Sequence, residues 1–192
     1  MFEVLSRREV ILQEAARLFR EKGYLAANLR ELASRAGIQG GSIYHHFSSK
    51  QEILFQVMDD TMSDMITQLT ACLEGAETPS QRLRRMMRFH IEYVVAGSDR
   101  TYITDDELRN LEPANYREVV AKRDRYQRII EDILAAGRDR EGWCVTDTKL
   151  ITRAVIKICA GVATWFRTEG ELTLDGIAEA YADLVCNGLL PR

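Results

Sequence analysis

Residues 37–54 read GIQGGSIYHHFSSKQEIL, eighteen positions that hold three glycines, two adjacent histidines and a lysine. Such a set suits a metal site, a phosphate-cradling loop, a catalytic centre or a backbone surface pressed against a polyanion. Each chemistry has its own geometric requirement. On a helix, His45 and His46 point about 100° apart and cannot face one ion. The positions three or four residues away hold Gly41, Ser42, Ser49 and Lys50, which supply neither carboxylate nor thiolate. A phosphate loop needs a strand and then G-x-x-x-x-G-K-[ST], and no lysine follows a glycine here. Ser42 lies three residues before His45, but no nearby carboxylate orients the imidazole. What remains is a glycine-rich helix start whose amides approach phosphate.

No other catalytic set appears. The chain has no H-E-x-x-H, no paired-carboxylate spacing and no Ser/His/acid arrangement, so it reads as a non-enzyme without metal or cofactor. Cys72, Cys144, Cys159 and Cys186 are far apart and form no C-x-x-C pair. They read as reduced thiols, and a charged N-terminus unlike a signal h-region agrees with a cytoplasmic chain. No run of eighteen apolar residues is present, which argues against a spanning helix.

Charge is unevenly placed. The chain of 192 residues carries a net −3, yet residues 1–50 hold eight Lys or Arg against five Asp or Glu. A basic head on an acidic body suits a local polyanion contact. Hydrophobic residues make up 46% and charged residues 29%, enough for a sizeable core.

The elements that must position the glycine-rich stretch are helices. Val10, Ile11, Ala15, Leu18 and Phe19 recur at helical spacing, and Gly23 supplies a stop. Asn28 three residues before Glu31 forms a capping-box pattern, Gly37 ends the helix, and another begins near Gly40. Ser48 or Ser49 starts a helix of more than six turns. Thr78-Pro79-Ser80-Gln81 opens the next, Thr104–Glu107 caps a short one, Pro113 begins one that ends at Gly137, and two C-terminal helices follow. The pattern predicts an all-α chain of nine helices, with residues 1–50 as a helix-turn-helix domain and 51–192 as the body.

Leu32, Ala36, Ile38, Ile43 and Phe47 form an apolar set over two short helices around Gly37, the spacing of a helix-turn-helix whose second helix lies in a major groove. Gly40 and Gly41 then let backbone amides approach phosphate. Tyr44, His45 and Lys50 supply donors and charge on the exposed side, and Asn28 and Ser42 add short polar groups at helix starts.

The stretch LRELASRAGIQGGSIYHHFSSKQEIL resembles the DNA-binding domain of the tetracycline-repressor (TetR) family of bacterial regulators, and length and helix count agree. The resemblance implies that the first helices bind an inverted-repeat operator in double-stranded DNA, while the body binds a small effector and forms a homodimer. Two positions depart from the family pattern. Asn28 stands where threonine is usual, and Gln39-Gly40 lacks one base-reading side chain, which shifts readout toward Gln39, Tyr44 and DNA shape. Segments 104–129 and 161–189 resemble regulators of fatty-acid and sterol catabolism that respond to acyl-CoA thioesters.

In the body, Ile151, Val155, Ile158 and Val162 share one helical face, and Ile177, Tyr181, Leu184 and Val185 share another. Both stripes suit a core, and the resemblance implies a four-helix dimer interface. Phe89, Tyr93, Tyr126 and Trp165 are the effector-lining candidates, and His90 reads as a core histidine bonded to a backbone carbonyl. Arginines at 82, 84, 85 and 88 suit either a solvated face or a phosphate-holding rim. A helical protein-binding adaptor is the alternative; it has no need of Gly40, Gly41, Tyr44 and Lys50 on one exposed face.

Overall fold

The computed structural model describes residues 5–190. Among them are eight α-helices and two 3-10 turns, and no strand. They run α1 (Arg7–Lys22), α2 (Leu29–Arg35), a 3-10 helix (Gly40–His45), α3 (Lys50–Cys72), α4 (Pro79–Ala96), α5 (Ser98–Asp106), a 3-10 turn (Leu108–Asn110), α6 (Pro113–Glu141), α7 (Thr148–Trp165) and α8 (Leu174–Leu189). Among the described residues no helix is long and apolar enough to cross a membrane.

The chain packs as two compact units, Met1–Ser63 with Asp99–Lys122, and Asp64–Ser98 with Arg123–Arg192. The divisions fall within α3 and α6 and after the first residue of α5. In the first unit α1, α2 and the 3-10 helix pack together. Ile11, Leu12 and Phe19 of α1, Leu32 of α2, and Ile43 and Phe47 around the 3-10 helix are buried there. In the second unit α4 packs on α7 and α8, and those two pack on each other.

Local chemistry explains the boundaries. Ser6 caps α1 by accepting from the Glu9 amide, and Gly23 at φ 76° ends it with its N–H on the Phe19 carbonyl. Asn28 caps α2 as expected, but Glu31 does not complete a box; its carboxylate turns to Lys22 and Arg35 instead. Gly37 at φ 66° makes the turn that follows. The next helix forms as six residues of 3-10 geometry, because two glycines and a serine at its start are poor α-formers over so short a span. Ser49 caps α3, accepting from the Glu52 amide, while Glu52 reaches back to the Ser48 N–H and hydroxyl. At α4 the complete capping box of Thr78 and Gln81 is present.

Two boundaries differ from expectation. Thr104–Asp106 closes α5, with the Thr104 hydroxyl bonded back to the Arg100 carbonyl, and Glu107 stands at the N-cap position of the 3-10 turn Leu108–Asn110 without a side-chain capping bond. Gly137 does not end α6, which continues to Glu141. A Cβ at Gly137 would lie 2.0 Å from Cε3 of the buried Trp143, so glycine serves close packing there and not termination.

Candidate functional site

In the first unit, α2 and the 3-10 helix flank an open concavity of about 580 Å³ lined by Leu29, Arg30, Ser34, Ile38, Gly40, Gly41 and Tyr44. Ile43, fully buried, anchors the 3-10 helix from below. Gln39, Gly40, Gly41, Tyr44 and His45 are exposed, Ser42 is half-buried, and Asn28 is exposed at the start of α2. Tyr44 stands 60% exposed, so its ring is presented to whatever approaches and is not a core residue. Nothing lies within 4 Å of a Cβ built on Gly40 or Gly41. Their backbone is therefore open to close approach.

Lys50 departs from the exposed-side expectation. Its ammonium donates to the carbonyls of Tyr24 (2.8 Å), Leu25 (3.3 Å) and Ala27 (2.8 Å), and sits 4.4 Å from the Tyr24 ring centroid. Burial draws its pKa below the usual amine range. It closes the turn that leads into α2.

The other cations of the head are mostly engaged too. Lys22 pairs with Glu31, Arg35 bridges Glu21 and Glu31, Arg17 and Arg20 pair with acids, and Arg8 lies over Phe47. Arg7 reaches the Ala36 carbonyl at 3.5 Å. Hydrogen bonds from Lys22 and Arg35 hold the carboxyl pKa values of Glu31 and Glu21 below the usual range. Arg30 is different: among the described residues no hydrogen bond or ion pair engages its guanidinium, and it lines the concavity. Sequence reasoning missed it. The available signal was the helical spacing of Glu31 and Arg35, which leaves Arg30 without its nearest acid.

In the second unit, the rings of Phe89 and Tyr93 meet at a tilt of 49° with centroids 5.5 Å apart, and the Tyr93 hydroxyl donates to Asp64 at 2.8 Å. His90, buried, lies 2.7 Å through Nδ1 from the Tyr126 hydroxyl. A phenol therefore lies against the ring nitrogen of this core histidine. Burial, and then Cys159 nearby, push the Tyr126 pKa well up, and burial pushes the Cys159 thiol to about 12. Both groups are therefore neutral. Trp165, at the end of α7, is 44% exposed.

Arg84 and Arg88 are tied to Asp175, Glu179 and Asp183 of α8, and Arg85 to the Cys72 and Glu74 carbonyls. Of the four arginines expected at a phosphate rim, Arg82 alone lacks such a partner among the described residues. All four cysteines are free thiols.

The two C-terminal stripes split. Val155, Val162 and Ile177, expected on the dimer face, are buried within the protomer by the packing of α4, α7 and α8. Ile158 and Leu184 are exposed, and Ile151, Tyr181 and Val185 are half-buried. Leu150 and Trp165 add to the outward face of α7.

Comparison with known proteins gives a consistent picture. Residues 11–57 match the family model for bacterial regulatory proteins of the tetR family, and residues 76–189 match that for a tetracyclin repressor-like C-terminal domain. Over 189 residues the chain is 27% identical to the HTH-type transcriptional repressor KstR2 of Mycolicibacterium smegmatis, covering 96% of this chain and 91% of that protein. PfmR, a TetR family transcriptional regulator of Thermus thermophilus, superposes with TM-score 0.83 at 33% identity, covering 94% of this chain and 99% of that one. AibR, crystallised with isovaleryl coenzyme A and operator DNA, superposes with TM-score 0.85 at 24% identity over 93% and 97% of the two chains, a shared fold.

Proposed function

The chain belongs to the tetR family of bacterial regulatory proteins and is a DNA-binding transcriptional regulator, and from that premise we propose a homodimeric repressor that an acyl-CoA thioester releases from its operator. The observation that carries the DNA contact is the exposed face formed by Gln39, Gly40, Gly41 and Tyr44 beside the unpaired Arg30. Amides at the 3-10 helix start meet phosphate, Tyr44 and Asn28 add neutral donors, and Arg30 supplies the charge-assisted contact. Lys50 acts from behind by fixing the start of α2. The boundary of the DNA-binding domain near residue 50 belongs to the same proposal.

For the effector, the half-buried rings of Phe89 and Tyr93 and the buried Tyr126 suit an apolar acyl chain, and the His90–Tyr126 pair suits its carbonyl. KstR2 bears the name of a repressor, which favours repression as the default. AibR holds an acyl-CoA, and that sets the class to test first. The outward residues of α7 and α8 supply the face for a second copy, since two half-sites about 34 Å or more apart require two heads. Effector then favours a dimer whose heads no longer match that spacing. To reverse occupancy from 1:99 to 99:1 it must bind that state about 10⁴-fold more tightly.

The test begins with fragmented genomic DNA of the host, from which purified protein selects an inverted repeat at near-physiological salt. Arg30→Ala weakens binding to the selected repeat and Tyr44→Ala weakens it as well, each with melting unchanged. Short- to long-chain acyl-CoA thioesters are then titrated against the protein–operator complex. An acyl-CoA series that alters neither operator affinity nor melting temperature removes the effector assignment. Variants that select the repeat as well as the wild type remove the DNA-contact assignment.

A further inference from the structure

Two consecutive residues at the start of α3 hold the beginnings of two other helices. Lys50 holds the carbonyls of the 24–27 turn that leads into α2. Gln51 holds the segment that leads into α6: its amide nitrogen donates to the Asn110 carbonyl at 2.5 Å, and its oxygen accepts the Glu112 N–H at 3.1 Å. Pro113, the first residue of α6, follows at once. Both side chains also meet on Tyr24, Lys50 at its carbonyl and ring face and Gln51 at its hydroxyl, 2.9 Å away.

A second link lies beside the first. Glu107, 9% exposed, accepts the Tyr24 N–H at 3.1 Å and the Asn110 side-chain amide. Tyr24 is itself 6% exposed and meets Phe19 edge to face. The buried Glu107 carboxylate, held between the Tyr24 N–H and the Asn110 amide, and the Tyr24 hydroxyl, held by Gln51, resist sliding, because each displaced polar group loses its partner away from water. All of these residues lie in the first unit.

We propose that Gln51 and Glu107 are positioning residues that lock the helix-turn-helix to the start of α6, so that this joint sets the orientation of the DNA-reading head and with it the half-site spacing the dimer accepts. Neither side chain touches DNA. Their effect passes through Tyr24 and the 24–27 turn to α2 and the 3-10 helix. The proposal rests on the DNA-binding reading and adds the element that decides which operators fit.

The experiment uses the full chain and the selected inverted repeat, with base pairs added or removed between the half-sites. The wild type loses about ten-fold in affinity one base pair from its optimum. Gln51→Met keeps the length of the side chain without its amide, and flattens that dependence to about two-fold at most while each half-site keeps its sequence preference. Glu107→Gln, which retains an acceptor for the Tyr24 N–H but opposes two amide groups at Asn110, flattens it partially. A change in stability alone lowers the active fraction and leaves the spacing profile as sharp as before; that result overturns the proposal. Hydrogen exchange without DNA keeps the joint testable if no repeat is selected. In Gln51→Met, lost protection extends from residues 110–112 to 24–28, and loss confined to 110–112 also overturns it.

Discussion

Arg30 and Lys50 divide the two roles open to a cation beside DNA. Lys50→Ala leaves three carbonyls of the 24–27 turn without their donor and costs about 1–3 kcal/mol of stability, read in denaturant melts. Arg30→Ala leaves those melts unchanged, because no described group pairs with it; a phosphate contact there lowers the slope of log affinity against log salt by about one. Spacing alone made Lys50 look exposed, since which carbonyls gather around an ammonium is decided by the fold of the turn. Glu52 makes a different prediction. The Ser48 hydroxyl, and then the Ser48 amide, hold its carboxyl below the ordinary value of 4.5. A depressed carboxylate binds its proton less readily folded than unfolded, so its stabilisation is full above 4.5 and fades as pH falls through the lowered folded value. Urea melts of Glu52→Gln therefore lie below the wild type near neutral pH and converge on it as pH falls through that lowered value.

Among the elements, those announced by capping chemistry were legible: Asn28 and Thr78 each start a helix where their side chains meet free amides, and of the two serines open as the cap of α3 it is Ser49 that meets one. The same reading failed where a residue's local meaning was overruled by a distant neighbour. Gly137 reads as a stop, but Trp143, six residues on, folds back over it just beyond the end of α6. Gly137→Ala tests which effect dominates. Alanine improves helix propensity by about 1 kcal/mol. Its Cβ, 2.0 Å from an indole that is 3% exposed, forces a shift of a rigid buried ring, a strain of about 1–3 kcal/mol. Unfolding by guanidinium shows a net loss of stability, with tryptophan emission shifted as Trp143 moves. The acidic run at 105–107 is a related case: it resembles a cap by composition, whereas Glu107, at the N-cap position, is drawn inward by the Tyr24 amide.

At the scale of the whole molecule, the apolar stripes of α7 and α8 were visible in the sequence, but their division was not. A helix covered on two sides is apolar around most of its circumference, so periodicity cannot separate the face toward its own core from the face toward a second copy. Burial marks the face toward the protomer's own core. Val162 is fully buried against the protomer's own helices, while Leu184 is 65% and Ile158 38% exposed. Val162→Ala removes packed methyl groups and lowers thermal stability without altering subunit association. On the two-fold face proposed above, Leu184→Glu and Ile158→Glu place a charge against the second copy, and each yields a folded monomer in sedimentation equilibrium with helical content unchanged. Those monomers hold single half-sites weakly and lose the inverted repeat, because the two heads no longer share one binding event. A dimer that persists with both charges in place puts the two-fold contact on another face, and the half-site geometry must then be rebuilt from that face.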